Sequence, residues 1–211
     1  MKFTQAQILD FESLYRRNFM NSITGVKSAG LIGTVSTKQQ TNLAIFNSFV
    51  HIGATPPHIG FVMRPTTVDR HNIDTIQSQG FYTINHVHTA IIEQAHQTSA
   101  KYDSATSEFE ACGFTPAFKT PFTAPYVKEA TIQLGLSFVE SIHIKSNDVH
   151  LVIGEVKEVY VEEKYIQADG FIDLAQAATV GIGGLDAYYK ITPLARFAYA
   201  RPDQPVKPLE N

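Results

Sequence analysis

A run of hydroxyl and basic side chains follows an apolar, strand-like segment and begins a helix. The run contains Thr66, Thr67, Arg70, His71 and Thr75. The N-terminus of a helix presents unpaired backbone N–H groups and the positive end of the helix dipole, so it attracts anions. An arginine there adds a forked, permanently charged partner for phosphate. The pattern indicates a site for the phosphate of a nucleotide-like cofactor; the alternative is an ordinary capped helix with a solvated arginine.

Composition narrows the class of protein. The chain has 211 residues, 44% of them apolar and 18% charged, with a net charge of -3, which is typical of a globular protein. This charge argues against a general nucleic-acid binder, which would carry a basic stripe. There is no apolar run of membrane-spanning length and no signal-peptide core near Met1, so we expect a cytoplasmic protein. The single cysteine, Cys112, is expected to be a buried apolar side chain.

Residue patterns predict the elements that must position the phosphate run. A capping box at Thr4–Gln7, followed by one apolar face, predicts a helix over residues 5–19. A second capping box at Ser107–Glu110 predicts a short helix. Strands are predicted at 31–36, 42–54, 58–64 and 81–87, and further helices at 70–79 and 89–100.

The second half carries the strongest strand pattern. Apolar and polar residues alternate over 132–145, and a second alternating segment covers 149–163 with a change of phase beside Gly154. These segments predict a long antiparallel hairpin with a β-bulge. Because the strands do not alternate with long helices, we expect a mainly β (α+β) fold in which about six antiparallel strands form a closed or partly closed barrel, with helices in the connections.

Three stretches resemble the flavin reductase-like family, the FMN-binding split barrels. The first is Gly33–Ser36 followed by Thr41–Phe49 and a proline pair at 56–57; the second runs from Arg64 through the phosphate run to Asn85; the third is Gly183–Tyr189. The resemblance covers about residues 17–202. It implies an antiparallel Greek-key split β-barrel and a single FMN-binding domain over 1–211, with an N-terminal helix in 1–20 and a tail at 201–211.

The same resemblance implies ligands and partners. It implies a homodimer with non-covalent FMN near the subunit interface, and NAD(P)H as a possible co-substrate. The phosphate is then assigned to Arg64, Thr66, Thr67, Arg70 and His71, although His71 alone could be a surface histidine. Neither a nucleic acid nor a membrane is expected as a partner.

Reduced flavin carries negative charge on its pyrimidine edge, and hydrogen-bond donors there favour arrival of a hydride. The candidates are Asn47 and Ser48, with Thr34 or Ser36, and Phe49 belongs to the same motif. The alternative for Asn47 and Ser48 is a polar pair on an exposed strand face. No catalytic side chain is expected, since the cofactor carries the hydride. No metal site is expected either, because no carboxylate or cysteine is clearly placed to complete one with the histidines at 86, 88 and 96.

Two functions follow from these expectations. One is an NAD(P)H-dependent flavin reductase-like oxidoreductase that passes electrons through FMN to an acceptor. The other is a non-enzymatic FMN-binding electron carrier or flavin store that is reduced by a protein partner. A split barrel can host unrelated chemistries, so the choice rests on the site.

Overall fold

The structure is a computed structural model that describes residues 1–64, 72–103 and 105–209. Its helices are α1 (Gln5–Asp10), α2 (Ser13–Ser22), α3 (Asn72–Gln79), α4 (Ile92–Gln97) and α5 (Glu108–Ala111). Its strands are β1 (Lys27–Ser28), β2 (Gly30–Val35), β3 (Thr41–Phe46), β4 (Phe49–Ala54), β5 (Pro57–Met63), β6 (Phe81–His86), β7 (Pro116–Ala117), β8 (Tyr126–Val127), β9 (Ile132–Ile144), β10 (Val149–Val161), β11 (Val180–Gly183) and β12 (Ala187–Lys190).

The main sheet is antiparallel, with the strand order β3-β2-β6-β9-β10-β5-β4. Its two edges are β3 and β4, which are consecutive in the chain. The sheet curls without closing between them, and this confirms the predicted split, Greek-key barrel. The split divides the predicted strand 42–54, which was wrong as a single strand: residues Asn47 and Ser48 carry the chain from one edge of the sheet to the other.

The long hairpin is confirmed, including its bulge. Strands β9 and β10 pair with register shifts at Ile153/Gly154 and again at Val156/Glu158. A Cβ atom at Gly154 would lie 2.2 Å from the hydroxyl oxygen of Tyr82, so the glycine allows the barrel wall to bend over that ring. Gly154 therefore contributes both to the curvature of the barrel wall and to the packing of the barrel interior.

The barrel wall separates two hydrophobic clusters. Successive side chains of a strand point to opposite faces, so Leu31 of β2 packs with the cluster under α4 and α5, whereas Ile32 packs inside the barrel with Phe61. Cys112 belongs to the outer cluster and is 7% exposed, as predicted for a buried apolar side chain. Burial raises the pKa of its thiol.

The predicted N-terminal helix is two helices. Phe11 is extended between them, and the carboxylate of Glu12 accepts hydrogen bonds from the backbone N–H groups of Leu14 (2.9 Å) and Tyr15 (3.1 Å). These bonds cap α2 and hold the pKa of Glu12 below its ordinary value. The capping box at Thr4–Gln7 is confirmed at the start of α1.

The capping box predicted at Ser107 does not form, because its hydroxyl bonds instead to Thr41 Oγ1 at 2.7 Å. The adjacent carboxylate of Glu108 accepts the backbone N–H of Leu43 at 3.1 Å. Both contacts hold the edge strand β3. The side chains of Ser107 and Glu108 at the start of α5 therefore stabilise the sheet edge, whereas the capping-box pattern had assigned them to the helix alone.

Candidate functional site

The two residues that cross the split are fixed by contacts with other elements. Ser48 Oγ donates to the carbonyl of Val62 at 2.9 Å and accepts its N–H at 3.0 Å, so the hydroxyl completes the sheet where β4 begins. Asn47 Nδ2 donates to the carbonyl of Gly184 at 2.7 Å. Gly184 lies in the turn between β11 and β12 with φ +62°, a conformation that favours glycine. Asn47 thereby joins two of the three family-like stretches.

A pair of cations lies at the end of β5. Arg64 Nη2 donates to Asn21 Oδ1 at 2.5 Å, and Lys27 Nζ donates to the main-chain oxygen of Asn21 at 2.9 Å and to Thr24 Oγ1 at 3.0 Å. Burial, and secondarily the charge of Arg64, lower the pKa of Lys27. Among residues 1–64, 72–103 and 105–209, no carboxylate forms an ion pair with either cation. Within that part of the chain, neither cation is therefore neutralised by an ion pair.

A groove of about 260 Å³ lies between α2 and the β11–β12 turn, and its lining includes Gly184, whose carbonyl accepts the bond from Asn47. Its lining residues are Asn18, Ser22, Gly25, Val26, Gly183, Gly184, Leu185, Asp186, Ala187 and Tyr189. The ring of Tyr189 covers Gly183, where a Cβ atom would be 2.8 Å from its Cε2 atom. Burial, and secondarily Asp186, raise the pKa of neighbouring Tyr188 to about 12, so this phenol stays protonated at neutral pH.

The remaining residues predicted for the flavin edge have contacts inside the fold. Thr34 is 1% exposed, and its hydroxyl has no hydrogen-bond partner among the described residues. Ser36 Oγ accepts the N–H groups of Lys38 and Gln40 in the turn after β2. The ring of Phe49 packs on Gly30 and lies 6.2 Å from the ring of Phe61. Of the predicted set, Asn47 and Arg64 contact elements that border the groove.

The predicted phosphate residues Thr66, Thr67, Arg70 and His71 lie outside the described residues. The described part of the chain ends at Arg64 and resumes with α3 at Asn72. Sequence reasoning missed Asn21 and Lys27. They lie on the N-terminal elements, and no local motif connects them to β5.

A larger cleft, of about 620 Å³, lies at the C-terminal end of β10, whereas Arg64 lies near the N-terminal end of that strand. There Lys119 Nζ donates to Gln133 Oε1 at 2.5 Å and lies 3.3 Å from the ring centroid of Tyr160. Tyr126 donates to Glu158 Oε1 at 2.5 Å. Because these polar groups already satisfy one another, we place the candidate site at the smaller groove and its cation pair.

Two further classes of feature are absent from the described part of the chain. Within it, no group of three or more His, Cys, Asp or Glu side chains is arranged to hold a metal ion. None of the helices described is both long and apolar enough to cross a membrane.

Comparisons with known proteins agree with the fold. The family model for the flavin reductase like domain matches residues 26–172. A solved structure from Shewanella frigidimarina NCIMB 400, assigned as a flavin reductase with a split barrel domain, is 48% identical, with a TM-score of 0.91, and the match covers 95% of this chain and 100% of that chain. No curated protein matches the sequence significantly.

More distant solved structures share the fold. Nitrilotriacetate monooxygenase component B from Bacillus cereus is 17% identical, with a TM-score of 0.81 and coverage of 93% of this chain and 98% of that chain. Flavoredoxin of Desulfovibrio vulgaris (Miyazaki F) is 22% identical, with a TM-score of 0.70 and coverage of 84% and 91%.

Proposed function

We propose that this chain, which belongs to the flavin reductase-like family, binds FMN non-covalently and passes electrons from NAD(P)H through the flavin to an acceptor. The observation that carries the proposal is the pair of cations at the end of β5. Arg64 and Lys27 are both bound to Asn21 of α2, the helix that lines one side of the groove, and neither has an ion-pair partner in the part of the chain described. Such a pair is suited to a phosphate group, which is the anionic part of FMN.

The residues present fit the cofactor in two places. Arg64 would bind the phosphate together with the adjoining residues Thr66, Thr67, Arg70 and His71. The crossing at Asn47 and Ser48 would face the pyrimidine edge of the ring, with Phe49 beside it. Thr34 and Ser36 lie toward the other end of β2, since Gly30 is the residue of β2 that pairs with Phe46, next to Asn47. Because the Ser48 hydroxyl already bonds to Val62, its contribution to an edge site would come chiefly from the backbone.

The chemistry divides between the cofactor and the protein. When bound, the flavin accepts a hydride from the nicotinamide and releases electrons to the acceptor. The protein orients the ring, excludes water and places donors where negative charge develops. The bond from Asn47 to Gly184 would keep the crossing and the β11–β12 turn at a fixed separation while the substrate binds.

Surface area supports a homodimer. The chain exposes 13,030 Å², whereas a folded monomer of 23.4 kDa is expected to expose about 9,700 Å². The excess is about 3,300 Å² per chain, or about 6,600 Å² for two chains, and obligate homodimer interfaces bury a total of about 2,000–5,000 Å² or more. Apolar side chains are exposed on α2, at Leu14 (51%) and Met20 (43%), beside the groove. We propose that a second copy covers this region and that the dimer acts in the cytoplasm.

The first test of this function is spectroscopic. The protein would be purified without added flavin, its visible spectrum recorded, and NADH or NADPH added under anaerobic conditions. Flavin bands that bleach on addition are the expected result. Bands that persist until a chemical reductant is added would replace the reductase with an electron carrier served by a protein partner. A colourless protein that also fails to bind added FMN would refute both.

A variant connects that result to the cation pair. Arg64→Ala is expected to raise the Kd for FMN about 10- to 100-fold, since a charge-assisted hydrogen bond contributes about 1.5–3 kcal/mol. Arg201→Ala, an exposed arginine in the tail, removes the same charge elsewhere and serves as the control. Equal Kd values for the two variants would exclude Arg64 from the phosphate site.

A further inference from the structure

We infer that Asn21 is a positioning residue for recognition of a phosphate monoester: it holds Arg64 and Lys27 side by side, so that helix α2 forms part of the cofactor site. This inference rests on the proposed function and extends it to a helix that the family match, which begins at residue 26, does not include. The hydrogen bonds of Asn21 and the charge of its two neighbours support it.

The amide of Asn21 is held in one orientation. Its Nδ2 group donates to the carbonyl of Arg17 at 2.7 Å, one turn earlier in α2. The opposite end of the amide, Oδ1, therefore points away from the helix, and there it accepts Arg64 Nη2 at 2.5 Å. A freely rotating side chain would lose entropy on holding the guanidinium, whereas this one is already ordered by the helix.

The same residue fixes the second cation through its main chain. Lys27 Nζ donates to the main-chain oxygen of Asn21 at 2.9 Å, near the C-terminal end of α2, where the helix dipole favours a positive charge. Two cations are thus held on one residue despite their mutual repulsion. Burial and the charge of Arg64 both lower the pKa of Lys27, which agrees with this proximity.

A neutral amide is the important chemical feature at this position. An amide oxygen orients the guanidinium but does not cancel its charge, and most of the five N–H donors of arginine remain for another acceptor. A carboxylate in the same place would form an ion pair with Arg64 and reduce its attraction for a dianion. Asn21 thus sets the geometry of the two cations and leaves their charge for a phosphate monoester.

Asn21→Asp tests the inference, because it keeps the shape of the side chain and adds a negative charge beside Arg64, although it also removes the Nδ2 donor to the Arg17 carbonyl. Gln39→Glu, in the exposed turn between β2 and β3, adds the same charge at the opposite end of β2 from Lys27 and is the matched control. Two pairs of ligands differ by a phosphate monoester: FMN and riboflavin, and NADPH and NADH. The Kd of each ligand would be measured by fluorescence or calorimetry on both variants and on the wild type.

The wild type is expected to prefer the phosphorylated member of a pair. Asn21→Asp should reduce that preference about tenfold and leave the Kd of the unphosphorylated member within about twofold, whereas Gln39→Glu keeps the wild-type preference. Loss of preference in the flavin pair would identify the phosphate as that of FMN. Loss in the nicotinamide pair would identify it as that of NADPH.

Other outcomes would overturn the inference. If Asn21→Asp keeps both preferences, Asn21 has no role in phosphate recognition. If it weakens the phosphorylated and unphosphorylated ligands equally, the residue acts only through the structure of the groove; thermal unfolding and Lys27→Met, which removes the second cation and leaves the Asn21 side chain in place, would check this. A wild type that binds neither flavin would instead refute the proposed function itself.

Discussion

His86 should make the stability of the protein depend on pH in a defined window. It lies on β6 opposite Gly30, and its Nδ1 atom is buried without a hydrogen-bond partner among the described residues. Burial lowers the pKa of this imidazole from 6.5 to about 4. The physical cause is desolvation, which disfavours the charged form in the barrel wall. We therefore expect a neutral imidazole in the folded state at neutral pH.

The direction and the size of this pH dependence follow from the linkage between proton binding and unfolding. Below pH 6.5 the unfolded chain binds a proton at this residue and the folded chain does not, so unfolding is favoured as the pH falls. The loss begins near pH 6.5 and is complete near pH 4, where the folded form is protonated as well. The pKa difference between the two states corresponds to a loss of about 3 kcal/mol at most, since a tenfold change in proton affinity is equivalent to about 1.4 kcal/mol.

The assay compares the wild type with His86→Leu, which cannot titrate. Urea unfolding would be measured from pH 8 to pH 4, and the difference in the free energy of unfolding would be plotted against pH. The difference should be constant above about pH 7.5 and move by up to about 3 kcal/mol in favour of the variant at low pH. A difference that stays constant through the whole range would refute the reasoning, because it would mean that His86 titrates equally in both states.

Two further predictions concern the barrel. Gly33→Ala would place Cβ 2.3 Å from the Pro125 carbonyl oxygen, so it should lower the free energy of unfolding by about 1–3 kcal/mol. Gly53→Ala is the control, because the atom nearest to its Cβ would be 3.6 Å away and alanine should be tolerated; equal melting temperatures for the two variants would contradict this. Ser48→Ala removes both bonds to Val62 and should cost about 1–3 kcal/mol in chemical unfolding, while an unchanged midpoint would show that water replaces the hydroxyl.

Local pattern predicted the parts of the fold that are decided locally. The 132–161 hairpin alternates with period two, and a phase change beside Gly154 indicated the bulge, because each strand faces the core on one side only. The capping box at Thr4–Gln7 is likewise a contact between near neighbours. In both cases the residues that determine the structure lie within one element or in two elements joined by a short turn.

The predictions that were wrong concern positions whose structure is determined by contacts with residues distant in the sequence. Residues 42–52 contain no glycine or proline, so no strong turn signal marks the crossing at Asn47 and Ser48; it is fixed by Gly184 and Val62, which are remote in sequence. The N-terminal helix is interrupted because Glu12 caps a new helix, and Ser107 serves Thr41 and not its own helix. The hydrogen-bond partner of a side chain with several possible partners can be predicted only when the edges of the sheet are known.

The candidate site was visible in the sequence only where its residues belong to a local pattern. Arg64 could be predicted because it closes a strand before a run of hydroxyl and basic residues. Asn21 could not, since an asparagine in an exposed helix has no distinguishing pattern, and its meaning comes from the guanidinium that β5 brings to it. The split between β3 and β4 is the reason that such contacts exist. Asn47, between the two edge strands, contacts the β11–β12 turn, and Arg64, beyond the end of β5, contacts α2; residues of that turn and that helix line the groove.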